Sequence, residues 1–272
     1  VLENSYGIVK RFEFIARIIE QTRPRRVLDI GCGTGANLTA PLARRFADVE
    51  FVGIDSDRAS IEHARQAGPT QNTRYHVEAS EEDLGCFDLV IASEVIEHVQ
   101  APDEFLGFLL RRIPPGGRVV LTLPNGLGPF ELASLVETLM HLTGVYAVLR
   151  WCKRKLLGLP PPQTAVDSFA ISPHINFFSY REISEVIESA GFEIVETRSR
   201  TLFAGLGFDH LITSERLVAW NASIADRLPA RLASGWMFLL RPGSASASRK
   251  PYQRGIYARL RRYLNEKRWK LR

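Results

Sequence analysis

Three groups of residues in this chain have types and spacings that could do chemistry. Glu94, Glu97 and His98 form an E-x-x-E-H run. If a helix begins near Glu94, positions i, i+3 and i+4 project from one face. Two carboxylates and an imidazole there make a partial metal site; hard oxygen ligands with histidine suit Mg²⁺ or Mn²⁺, and Zn²⁺ is also compatible. Without a metal, the acids would cap a helix N-terminus, favoured by its dipole, and His98 would accept a proton or only pack. The second group is Gly31-Cys32-Gly33-Thr34-Gly35-Ala36, with Asp55 about 20 residues further on, a nucleotide- or nucleoside-binding pattern. Glycines let the backbone approach a ligand and turn tightly into a helix, and a carboxylate ending the next strand can accept both ribose hydroxyls. The third group is scattered. Asn125-Gly126 and His141 lie where an acceptor would approach, whereas His63 and His76 read as structural.

The elements that must position these residues follow from periodicity. Short apolar runs at Arg26–Ile30, Glu50–Asp55, Thr73–Val77, Phe87–Ala92, Arg118–Leu123, Phe192–Thr197 and Trp236–Leu240 read as strands. Helical patterns lie between or beside them at 8–20, 37–46, 56–67, 102–112, 180–190 and 214–232. Strand and helix alternate with short joins, which predicts a doubly wound α/β sheet. The stretch between the fifth strand and the 180–190 helix is far longer than the usual loop of about 4–6 residues. Its first part, Phe130–Leu149, has helical spacing, followed by Lys153-Arg154-Lys155 and a Pro160-Pro161-Pro162 breaker. It reads as a helical lid whose apolar face packs on the domain or rests on an anionic membrane surface.

Several runs resemble the class I S-adenosylmethionine-dependent methyltransferases. Val27 to Gly35 (VLDIGCGTG) is similar to their first motif, and Asp88 to Val99 (DLVIASEVIEHV) to their fourth strand and the loop after it. Pro114 to Val120 (PPGGRVV) resembles the entry to their fifth strand, and His174 to Phe192 the helix and entry to the sixth. The resemblance spans roughly residues 20–200, with the motifs in the family's order. It implies a Rossmann-like seven-stranded sheet, the last strand antiparallel, with a helical lid inserted after strand 5. It also implies S-adenosylmethionine as cofactor. Asp29, Gly31, Gly33 and Gly35 would surround its methionine part, Asp55 with Ser56 its ribose, the backbone around Ser80 its adenine, and Ser93 would border the same site. The E-x-x-E-H run occurs in ubiquinone-pathway O-methyltransferases and in enzymes that methylate the terminal ribose of small RNAs. By the second resemblance, His174 would join Glu94, Glu97 and His98 as a fourth metal ligand. His98 or His174 as a metal-free base, and a purely structural role, stay open beside it.

Composition narrows the field. Over 272 residues, 45% apolar and 24% charged residues exclude a mostly disordered or fibrous chain. Three cysteines do not make a disulfide framework, and no early stretch reads as a signal peptide, so a cytoplasmic location, peripheral at a membrane if the lid docks there, is expected. From Arg249 to Arg272 there are ten Lys/Arg and one acid, whereas the rest holds 25 basic and 29 acidic groups. Such a tail suits anionic lipid, nucleic acid or a glycan pyrophosphate, or is a solvated helix. The expected organisation is a cofactor-binding half at 1–125, the lid at 126–172, the remainder of the domain at 173–247 and the basic tail at 248–272. The expected activity is methyl transfer to a hydroxyl of a small-molecule, glycan or lipid-linked acceptor, with or without a divalent metal. The alternative is RNA ribose 2′-O-methylation. A nicotinamide oxidoreductase has only the glycine loop in its favour, and a non-catalytic cofactor-binding scaffold would keep the same motifs.

Overall fold

The structure is a computed structural model and describes residues 7–68, 70–77, 85–148, 172–204, 212, 214–243 and 251–270. Seven strands form one sheet: β1 (Arg26–Ile30), β2 (Glu50–Asp55), β3 (Thr73–Val77), β4 (Leu89–Ser93), β5 (Arg118–Pro124), β6 (Phe192–Ser199) and β7 (Gly235–Pro242). Their order is β3-β2-β1-β4-β5-β7-β6. The pairs from β3 to β5 are parallel, and β7 lies antiparallel between β5 and β6, as the resemblance implied.

Among the described residues the α-helices are α1 (Ile8–Thr22), α2 (Thr39–Arg45), α3 (Arg58–Gln66), α4 (Pro102–Arg111), α5 (Pro129–Leu142), α6 (Tyr180–Ser189), α7 (Glu215–Arg227) and α8 (Ile256–Arg268). Covered on both faces, the central strands need apolar side chains in both directions, which is why they read as continuous runs rather than alternating ones. Leu28, Val52, Val90 and Leu121 pack with Leu106 and Leu109 of α4 and Ile183 and Ile187 of α6. Val27, Phe51, Leu89 and Val120 pack on the other side with Phe14, Ile15, Ile18 and Ile19 of α1. The strand order reverses beside β1, where β2 pairs on one side and β4 on the other. Open α/β sheets place their ligand crevice at the carboxyl ends of the strands there.

Two expectations need correction. The segment after β4 is not a helix. Glu94 has φ +59°, residues 96–98 form a turn closed by the His98 N–H donating to the Val95 carbonyl at 2.9 Å, and α4 starts only at Pro102. Gln100-Ala101-Pro102 explains the delay, because proline is well placed at a helix start but disfavours helical geometry before it. The basic C-terminal segment is not simply a solvated tail, since α8 packs along α5 with Ala258, Arg261 and Asn265 buried. The second part of the expected lid, 149–171, and the start of the expected tail, 248–250, lie outside the described residues.

Candidate active site

The carboxyl ends of β1, β2 and β4 open into a cleft of about 500 Å³. Asp29, Gly31, Gly33, Asp55, Ser56 and Ser93 line it together. Gly31 has φ +69°, and a Cβ there would sit 2.5 Å from a Val95 methyl, so only glycine fits between strand end and turn. The Gly33 N–H donates to Asp55 Oδ2 and the Asp57 N–H to Asp55 Oδ1, both at 2.8 Å. Each oxygen keeps acceptor capacity for a further donor. Asp29 is buried and accepts from the Thr39 hydroxyl at 2.6 Å, which ties strand end to α2. Gly35 does not line the cleft; it lies against Tyr75, whose ring leaves no room for a Cβ. Burial, then the charges of Asp29 and Asp55, pushes the Cys32 thiol up, so it stays protonated and unsuited to nucleophilic attack. Ser80 falls in 78–84, outside the described residues.

A second cluster borders this cleft. Ligand atoms of Glu97, His98 and His174 all lie within 4.8 Å of one another. The extended segment 172–179 brings His174 there. The Ile175 and Asn176 N–H groups donate to the Glu97 carbonyl at 2.9 and 3.0 Å, and the Asn176 amide donates to the carbonyls of Ile96 and Val99. A Ser179–Glu182 capping box then starts α6 and fixes the exit of that segment. The two imidazole rings meet edge to face, centroids 4.9 Å apart. His98 Nδ1 lies 3.2 Å from the Pro173 carbonyl, and His174 Nδ1 lies 2.5 Å from Glu131 Oε1. With Nδ1 so engaged in both rings, Nε2 is the nitrogen left for another partner.

Glu97 is 1% exposed and neither carboxylate oxygen has a hydrogen-bond partner among the described residues. Burial, reinforced by the charge of Glu94, pushes its pKa up to about 8. Burial and then the neighbouring His174 push His98 down to about 4. Burial works against charge on His174 as well, but Glu131 outweighs it and lifts the pKa to about 9.

Glu94 is not in the three-residue group, which corrects the expected four-ligand site. Its left-handed backbone takes it out of helical phase with Glu97, and Arg200 at 2.6 Å, Thr122 at 2.8 Å and Arg11 at 3.7 Å hold its carboxylate. Burial would raise its pKa, but Arg200 and then Arg11 outweigh burial and hold it below the usual carboxylate range.

Arg11, Arg200 and Glu131 are site residues that motif reading missed. Arg11 lines the cleft at 6% exposure. Its signal was present, because position 11 falls on the apolar stripe of Ile8, Ile15 and Ile18, where a buried charge needs a partner. Asn125, a candidate from its place after β5, has a structural part: its amide donates to the carbonyls of Arg231 and Ala233.

Comparison with known proteins agrees with this geometry. The family described as "Methyltransferase domain" matches residues 7–197. A ubiquinone biosynthesis O-methyltransferase from Azorhizobium caulinodans is 34% identical over 214 residues, covering 75% of this chain and 70% of its own length. A probable S-adenosylmethionine-dependent methyltransferase from Mycolicibacterium smegmatis is 26% identical over 213 residues, covering 77% and 67%. Among solved structures, an S-adenosylmethionine-dependent methyltransferase from Clostridium acetobutylicum aligns with a TM-score of 0.51 at 12% identity, over 87% of this chain and 92% of that one. That likeness concerns the fold. With the glycine loop, the acid ending β2 and the antiparallel β7 all in place, the chain belongs to the methyltransferase-domain family and is a class I S-adenosylmethionine-dependent methyltransferase.

Proposed function

We propose that the chain transfers the methyl group to a hydroxyl of a small-molecule acceptor, with a divalent cation held by Glu97, His98 and His174. The observation that carries this reading is Glu97: a buried carboxylate, both oxygens without a hydrogen-bond partner among the described residues, beside two imidazoles. A buried carboxylate without partners is costly unless protonated or paired with a cation. One carboxylate and two imidazoles, His174 giving up to solvent the proton that Glu131 otherwise keeps on it, suit Mn²⁺ or Zn²⁺, and Mg²⁺ with further oxygen ligands. The relatives named as O-methyltransferases agree with an oxygen acceptor.

The cofactor's sulfonium makes its methyl group electrophilic, so the protein must align three atoms and free the acceptor oxygen. Gly31 and Gly33 let the loop lie close to the cofactor, and Asp55 accepts from its ribose hydroxyls. Arg11 gives the cleft a positive charge suited to a carboxylate. A bound cation would lower the pKa of an acceptor hydroxyl beside the methyl group. His98, held low at about 4, is neutral at physiological pH and available as ligand or proton acceptor. Glycan and lipid-linked acceptors stay within the reading. Ribose methylation of RNA gains no support from the basic segment, where Arg254, Arg261, Arg262 and Arg268 are all engaged with protein partners.

The test is methyl transfer to a catechol and to a matched monophenol, read by mass spectrometry, before and after chelation. The expected result is methylation that chelation stops and Mn²⁺, Mg²⁺ or Zn²⁺ restores, with S-adenosylhomocysteine affinity unchanged. Activity indifferent to chelation and to Glu97→Gln would overturn the metal and leave His98 as a metal-free base.

A further inference from the structure

The basic C-terminal helix reaches the acid–histidine cluster through two buried charges. Arg261 on α8 and Glu131 on α5 are each 1% exposed. One guanidinium nitrogen, Nη2, donates to Glu131 Oε2 at 2.8 Å and to the Glu131 carbonyl at 3.1 Å. The other carboxylate oxygen, Oε1, faces His174 Nδ1 at 2.5 Å. On the same helix, the Asn265 amide donates to the His174 carbonyl at 3.1 Å, so α8 grips backbone and ring of one residue. Tyr257 and Arg268 add bonds to the Gly126 carbonyl and to Glu137.

A helix can be docked more cheaply than this. Burying an ion pair takes two charges out of water, and apolar side chains of similar volume stabilise such a contact as well or better. What apolar side chains cannot do is present an acceptor to an imidazole N–H in a fixed direction. An acceptor at Nδ1 selects the ring orientation and tautomer and commits Nε2 to whatever lies opposite.

We propose that Arg261 is a positioning residue for His174, acting through Glu131, so that a helix outside the cofactor cleft sets the geometry of the acceptor side. The inference rests on the reading of His174 as a ligand or proton acceptor. Arg261 holds one oxygen of Glu131, which leaves the other aimed at Nδ1; without Arg261 the carboxylate can turn and the ring loses its fixed orientation.

The test uses the full chain and the variants Arg261→Met, Glu131→Gln and, as a control on the same helix, Arg262→Gln. Mn²⁺ affinity is measured by calorimetry, with S-adenosylhomocysteine affinity as the check on folding. The His174 Nδ1 proton is followed by NMR as a strongly downfield signal, assigned by its loss in His174→Gln. Arg261→Met is expected to lower Mn²⁺ affinity about 10–100-fold, the usual scale for groups that orient a metal ligand, and to remove or shift the signal. Cofactor-product affinity should stay within about twofold, and Arg262→Gln should change neither readout. If Arg261→Met does not fold, Glu131→Gln keeps the shape but removes the charge and leaves one acceptor oxygen for the two donors of Arg261 and His174, and about a tenfold loss is expected. Unchanged Mn²⁺ affinity and an unchanged signal in both variants would overturn the positioning role and leave the metal site standing. A wild-type protein that binds no Mn²⁺, yet shows a signal that Arg261→Met abolishes, would overturn the metal alone and support the positioning role. Absence of the signal from the wild-type protein would overturn the positioning role.

Discussion

The two sides of the cleft are built in opposite ways. The side proposed to take the cofactor is made largely of the glycine-loop backbone with the carboxylates of Asp29 and Asp55, taken from the ends of three adjacent strands, β1 and β2 within residues 29–56 and β4 at Ser93. Parallel strands in register hold it, with Asp29 paired to Gly53 on one side and Ile91 on the other. The side proposed to take the acceptor is made of charged side chains from the 94–98 segment, α5, the 174–178 segment and α8, Arg261 reaching Glu131 by a hydrogen bond across 130 residues of chain. A site made of backbone tolerates local change as long as the sheet stands. A site made of buried charges depends on each partner, because losing one leaves another unpaired. Damage on one side should therefore leave the other working.

The largest effects should fall on the acceptor side. His174→Ala and Glu97→Gln should each lower methyl transfer by about 10²–10⁴-fold, the range of a lost proton acceptor or metal ligand, without changing S-adenosylhomocysteine affinity. A parallel loss of cofactor affinity in calorimetry would mean that the two sides are one unit. Next comes Asp55→Ala, which should weaken cofactor binding by about 1.5–3 kcal/mol, the scale of a hydrogen bond to a charged group. Because Asp55 also anchors the Gly33 and Asp57 N–H groups, its loss should loosen the loop but leave Mn²⁺ affinity as it was.

Glu94→Gln sharpens the boundary between the halves. Its ties to Arg200 and Arg11 are structural, so stability should fall by about 1–2 kcal/mol, kept low because Glu94 is partly exposed. Affinity for Mn²⁺ at the proposed site should not move; a tenfold drop would return Glu94 to that site. The smallest effect is on melting temperature against pH. His174, lifted to about 9 from 6.5, and Glu97, lifted to about 8 from 4.5, each keep in the folded state a proton that the unfolded chain releases earlier. Between pH 6.5 and 8 the folded state therefore holds more protons, and the metal-free protein should lose stability as pH rises. Saturating Mn²⁺ should flatten that slope, since a cation takes the protons' place. A slope that is the same with and without Mn²⁺ would count against a shared site.

What the sequence determined by itself is the part governed by local rules. Glycines before a helix, an acid ending a strand, Ser179 with Glu182 at a helix start and short apolar runs between helices depend on neighbours a few residues apart. They are visible without knowing where the chain goes next, and they specified all seven strands and the cofactor loop. The E-x-x-E-H run was legible as residue types but not as geometry. Helical spacing placed Glu94 with Glu97 and His98, whereas a left-handed backbone and two arginines from distant elements took it away. Glu131 and Arg261 carried no local signal at all: one falls within the expected lid, the other among the ten basic residues of the tail. Only tertiary structure could decide that they meet, because pairing two charges out of water depends on how α5 and α8 cross, and no spacing along the chain encodes that crossing.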